Sequence, residues 1–175
     1  NSSARTATLT FSRCAAQAVS SAIDGVGGAE GTVNVVAGTN LVTFNGVVGD
    51  VSGDGIRILN VGSATLAGNA KFSSTVDAGT ITIFTQVGDD AAANFDGAVI
   101  GAVAITGGNA SGENASATFA ANLTGATTLT NNSGTATMTV NATNGVMAFT
   151  GTIDGGGVLA VKDDDEESAG DLVTF

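Results

Sequence analysis

Along much of the chain, apolar and polar residues alternate with a period of two, the spacing that puts every second side chain on one face of a β-strand. In TATMTVNAT, residues 135–143, Thr135, Thr137, Thr139, Asn141 and Thr143 fall on one face and Ala136, Met138, Val140 and Ala142 on the other. In 115–123, Ala115, Ala117, Phe119, Ala121 and Leu123 share a face, and TATLTF at 6–11 follows the same rule. Shorter strands are predicted at 32–36, 41–44, 56–61, 80–84, 103–106, 145–153 and 158–161. Between them lie pairs such as Gly27-Gly28, Gly107-Gly108 and Asn144-Gly145, residues that accept the positive φ of tight turns. One segment departs from the alternation. RCAAQAVSSAID at 13–24 sets Ala15, Ala18, Val19 and Ala22 at helical spacing ahead of Gly25, which predicts a short helix or a cap on the sheet. Residues 1–30 are thus expected to form an N-terminal strand and cap, and 31–175 the strand repeats of a single all-β domain.

Seven of the eight phenylalanines close a similar phrase: Phe11, Phe44, Phe72, Phe95, Phe119, Phe149 and Phe175, at spacings of 33, 28, 23, 24, 30 and 26 residues. After the ring come FNGVVG, FSSTVD, FDGAVIG and FTGTID, and before it a V/I-x-V/I strand. Each unit reads as strand, glycine turn, strand with phenylalanine, turn. Two or three strands cannot bury a face alone, so the units must stack. In a β-solenoid each unit is one coil, rising about 4.8 Å, with the rings in an inward ladder. In a β-sandwich the units are hairpins folded onto one another. Uneven spacing favours the sandwich. The phase of the rings and the scarcity of long charged side chains favour the solenoid, which is the expected fold.

Composition supports a folded β protein. There are 26 Gly and 24 Thr but no Pro, His, Trp or Tyr among 175 residues, and 43% hydrophobic content is too high for a disordered chain. The 16 acidic and 5 basic residues give a net charge of −11, a field that repels nucleic acid and anionic lipid and draws cations. No apolar run approaches the roughly 18 residues of a membrane helix, and NSSARTATLTF has no apolar signal core. Cys14 is the single cysteine, which excludes an internal disulfide, and it reads as a small buried hydrophobe. Without His or Tyr, the usual general bases and many nucleophiles are missing. Paired carboxylates cleaving a glycoside would lack Trp or Tyr platforms, and no phosphate-binding glycine loop is present. A non-enzymatic protein is expected.

The stretch AIDGVGGAEGTVNVVAGTNLVTFNGVVG (22–49), echoed in TLAGNAKFSSTVDAGTITI and ATFAANLTGATTLTNNSGTATMTV, resembles the β-strand-repeat regions of bacterial surface proteins of the autotransporter-passenger, adhesin or surface-layer type. The resemblance spans nearly all of the chain after residue 22 and lies in composition and rhythm. It implies an extracellular or cell-surface address and a structural or adhesive role, and it brings no catalytic residues.

The two ends of the chain read as consecutive phrases. DLVTF at 171–175 followed by NSS at 1–3 would repeat the rhythm of LVTFNGV at 41–47 and of KFSSTV at 71–76. Either copies stack head to tail, one chain's last strand completing the next chain's first unit in a filament or layer, or the chain is an excerpt of a longer array. Phe11, Leu172 and Phe175 are the candidate joint residues, with Asp163, Asp164 and Asp165 of the run DDDEE facing Arg5 and Arg13 of a neighbour. The alternative is a monomeric adhesin or a calcium-stabilised binding module. In DVSGDGI, Asp50, Ser52 and Asp54 have the spacing of oxygens at positions 1, 3 and 5 of a calcium loop, although Val61 stands where the bidentate Glu of an EF-hand belongs. Asn109, Asn114, Asn122, Asn131 and Asn141 begin Asn-x-Ser/Thr sequons, where glycans would mark an exposed face.

Overall fold

The computed structural model describes residues 7–12, 15–25, 30–49, 55–86, 88–142, 146–163 and 172–174. Over the described residues the chain winds as a β-solenoid whose strands fall in seven successive layers. The first coil carries β1 (Thr8–Ser12) and β2 (Gln17–Val19) and reaches Ile23, which bridges to Val48 in the second coil, after β3 (Glu30–Val36) and β4 (Leu41–Phe44). The third coil holds β5 (Ile56–Val61), β6 (Asn69–Phe72) and the first part of β7 (Val76–Phe84). The rest of β7 opens the fourth coil, which passes through β8 (Ala91–Phe95) into β9 (Val99–Thr106). The end of β9 with β10 (Ala115–Phe119) and β11 (Leu123–Thr124) makes the fifth. β12 (Thr127–Thr130), β13 (Ala136–Ala142) and β14 (Val146–Thr150) make the sixth, and β15 (Ile153–Gly155), β16 (Val158–Asp163) and β17 (Leu172–Thr174) the seventh.

Among the described residues every strand pairing is parallel and joins one coil to the next, unlike the antiparallel hairpins of a sandwich. Three faces result. The second face is the seven-stranded sheet from β2 to β16. The first and third join into one sheet because β7 and β9 bend through the corner between them, where their register shifts between Asp77 and Thr80. All inward positions meet in a single apolar core.

The register corrects the phenylalanine ladder. On the second face, Val19, Phe44, Phe72, Phe95, Phe119, Val140 and Val161 form one row, with coil lengths of 25, 28, 23, 24, 21 and 21 residues. Only four of the seven phrase-closing rings stand in it, nearly parallel, with centroids 4.9, 5.0 and 5.1 Å apart. That separation is close to the strand spacing, so each ring is a translated copy of its neighbour. Phe11 lies on the first face opposite Val35, and Phe149 on the third opposite Leu123. Each meets an end of the ladder edge-on, Phe11 on Phe44 at 5.1 Å and Phe149 on Phe119 at 6.4 Å. They accompany the smaller Val19 and Val140 in those two coils. The six described coils from Phe11 to Phe149 therefore hold one inward ring each, donated by whichever face leaves room.

The expected helix at 13–24 is absent, and no helix occurs among the described residues. Gln17 and Val19 lie on β2, paired with Val42 and Phe44 of β4, and residues 13–14 lie outside the described residues. The misleading signal was Ala15, Ala18, Val19 and Ala22 at helical spacing; Ala18 and Val19 lie on β2, and a four-residue step leads from Val19 to Ile23 through the corner that contains Ala22. The same four-residue step recurs at Phe44–Val48, Phe72–Val76, Phe95–Val99 and Phe119–Leu123, where the chain turns from the second face to the third through three residues that, Val47 apart, are small or polar. A β-corner thus reproduces the i, i+4 spacing of a helix face. The supposed N-terminal cap is the first coil of the stack.

The repeated LVTF is also not one element used twice. At 41–44 it is β4 on the second face; at 172–174 the letters LVT form β17 on the third, paired with β14. Gly107 and Gly108 are likewise buried against Gly134 and Glu113 rather than at positive φ, and serve close packing of backbones.

One inward row on the first face runs Leu9, Val33, Leu59, Ile81, Val103, Thr127, Ile153. Thr127 is 1% exposed and its hydroxyl has no hydrogen-bond partner. A buried hydroxyl without a partner costs about 1–3 kcal/mol. Thr127→Val, which keeps the shape and removes that group, is expected to stabilise the fold by about 1 kcal/mol in chemical denaturation. A destabilised variant would show that the hydroxyl is satisfied after all.

Candidate functional site

Most inward rows end in partly exposed apolar side chains. In the first described coil Phe11, Val19 and Ile23 are only partly buried against the core, and Leu9 is 44% exposed. In the last, Ile153 and Val173 are partly buried, while Leu159 and Val161 are 42% and 56% exposed. Their row-mates one coil inward, Met138 and Val140, are fully buried, so position in the stack and not residue type sets the exposure. A cavity of about 420 Å³ opens beside the first coil, lined by Leu9, Ile23, Val33 and Ile56 with Glu30 at its edge. The outer edges of β1, β2, β15, β16 and β17 pair with no further described strand.

The sequence reading named only part of this surface. Phe11 belongs to it. Leu172 begins β17 opposite Val146, and Asp163 ends β16 opposite Ala142. Arg5, Arg13, Asp164, Asp165 and Phe175 lie outside the described residues, as do Asp50, Ser52 and Asp54 of the calcium-like loop and Cys14. Among the described residues, no group of three or more Cys, Asp or Glu side chains is placed to hold a metal ion. Leu9, Val19, Ile23, Ile153, Leu159, Val161 and Val173 were missed as surface residues. Their alternation marks a strand's inward face, and nothing local marks the strand as the outermost one.

The Asn residues of the sequons divide by contact. The Asn114 amide nitrogen donates to Asp90 Oδ1 at 3.1 Å, and its oxygen accepts from the backbone N–H of Thr135 in the next coil at 3.0 Å. The Asn131 amide nitrogen donates to the Gly156 carbonyl at 2.8 Å, and its oxygen accepts from Ala136 N–H at 2.7 Å. These two tie successive coils together at the corner between the first and second faces. Asn122 accepts from Ala148 N–H at 2.9 Å, and Asn141 is half-buried on β13. Asn109 is exposed in the loop after β9. The same corner is clamped by Glu113, 6% exposed, whose two carboxylate oxygens accept from the N–H groups of Gly88 at 3.0 Å and Ala110 at 2.9 Å. One carboxylate thereby holds loops of two adjacent coils, a structural role that spacing along the chain did not reveal.

Fold and site define a parallel β-solenoid repeat protein whose first and last described coils expose core positions. No protein-family model, curated protein or solved structure matches the chain.

Proposed function

We propose that the protein is an extracellular structural subunit whose copies join end to end by parallel strand addition into a filament or layer. The observation that supports this reading is that the apolar rows reach the first and last described coils and are partly exposed there. A second copy placed over the last coil would continue Ile153 with Leu9 and Val161 with Val19. Gly155, which has no side chain, would meet Phe11. The exposed groups are already half covered, so their re-burial supplies only about 1 kcal/mol each. Association costs about 4–15 kcal/mol. Apolar contact alone is therefore marginal, and the joint needs the backbone ladders as well, at about 1 kcal/mol per hydrogen bond. This requirement selects one register.

Sedimentation velocity with negative-stain microscopy tests the reading. Fibres or sheets are expected, and Val161→Lys is expected to disperse them with a Tm change of a few degrees at most, because that side chain is already more than half exposed. A discrete monomer at all concentrations would remove the proposal and leave the monomeric binding module.

A further inference from the structure

A groove of about 290 Å³ runs along the stack axis on the outside of the first face, across four successive coils. Two rows form it. One consists of hydrogen-bonding groups in register: Thr10, Asn34, Asn60 and Thr82. The other is apolar. Val36 and Phe84 stand on either side of Gly62, each one residue beyond a registered position; Gly62 is buried with φ of +87° and its Cβ position is filled by the Phe84 carbonyl oxygen, so it adds no side chain to the row. Phe84 is the one phenylalanine outside the repeated phrase. It occupies the solvent side of β7, where Thr80 and Thr82 precede it. No charged residue lines the groove, in a chain of net charge −11.

The polar row has a fixed direction. The Asn60 amide nitrogen donates to Asn34 Oδ1 at 2.9 Å, which orients both side chains. The Asn34 nitrogen is left to donate and the Asn60 oxygen to accept, one coil apart. The row ends on the next coil, where Thr82 is followed by Ala104.

We infer that this groove is a binding site for a neutral, extended oligosaccharide lying along the stack. A sugar ring has an apolar C–H face and a rim of hydroxyls. Its C–H bonds suit the negative face of the Phe84 ring and the methyls of Val36, while its hydroxyls match the alternating donors and acceptors of the Thr and Asn row. The coil rise of about 4.8 Å is close to the length of one sugar unit in an extended chain, so successive sugars meet equivalent rows. An acidic sugar would be repelled by the field of the chain. The site lies on the side of the stack and is independent of any contact at the ends.

Isothermal titration calorimetry of the full chain with cellohexaose, mannohexaose and, as the acidic probe, hexagalacturonic acid tests the assignment. At least one neutral hexasaccharide is expected to bind at millimolar affinity or better and the acidic one not at all. Phe84→Ala and, separately, Asn34→Ala are expected to weaken binding about tenfold or more. Phe84→Leu, which keeps apolar area but loses the ring, is expected to fall between. Unchanged melting curves show that the variants fold. No heat from either neutral sugar at about 10 mM, equal binding of the acidic one, or binding unaffected by Phe84→Ala would each overturn the site.

Discussion

Phe95→Ala is expected to lower Tm by about 10 °C. Phe95 is fully buried in the middle of the ladder, between Phe72 at 5.0 Å and Phe119 at 5.1 Å, with ring planes within 9° and 10° of theirs. Truncating a buried phenylalanine to alanine costs about 3–5 kcal/mol, and each kcal/mol shifts Tm by about 2–4 °C in a chain of this length. Collapse around the cavity is restricted, because the coils above and below are held at fixed spacing by their backbone ladders. Phe95→Leu separates volume from stacking. It refills most of the space and loses two ring contacts, each of about 0.5–1.5 kcal/mol, so it should sit between alanine and the native residue. Thermal melts of the three proteins by circular dichroism check this. A Phe95→Ala variant within 2 °C of the native protein would mean that the ladder is not a structural spine.

Gly101→Ala is expected to be comparably damaging for a different reason. Gly101 and Gly125 stand one coil apart at the corner between the third and first faces, with φ of +130° and +136°. That conformation is close to glycine-only and costs a side chain about 1–3 kcal/mol. A methyl at Gly101 would also overlap the carbonyl oxygen of Ala78 in the coil below, and one at Gly125 the carbonyl oxygen of Gly101. Backbone cannot yield as a side-chain tip can, and overpacking adds about 1–3 kcal/mol. The total of about 2–6 kcal/mol again corresponds to about 10 °C, or to insoluble protein. Gly88→Ala is the control. Gly88 has φ of +75°, yet a methyl there meets nothing within 4 Å, so it should lose only about 1 kcal/mol. Equal losses in the two variants would assign the whole effect to φ and none to the contact between coils.

Strand content was legible where alternation was clean, as at 115–119 and 136–142, because one face of such a strand is buried and its letters show it. Short strands such as β2, β11 and β15 were obscured, since two or three residues carry no period. The candidate end surface was legible only at Phe11. Leu159 and Val161 look in sequence like Met138 and Val140. Their difference is what lies above them, and that is not a local property.

By itself the sequence determined the class of fold, the need for stacking and the number of rings per coil. A layer about 4.8 Å thick has room for roughly one aromatic side chain in its interior, which matches the single inward ring of each described coil from Phe11 to Phe149. Tertiary structure alone decided which face supplies each ring, that a four-residue apolar step is a β-corner and not a helical turn, and that LVTF serves two different faces. Each of these depends on register between coils more than 20 residues apart. Register is a property of the whole layer, set by how the side chains of three faces fill one cross-section, and any short stretch of letters is compatible with more than one of its positions.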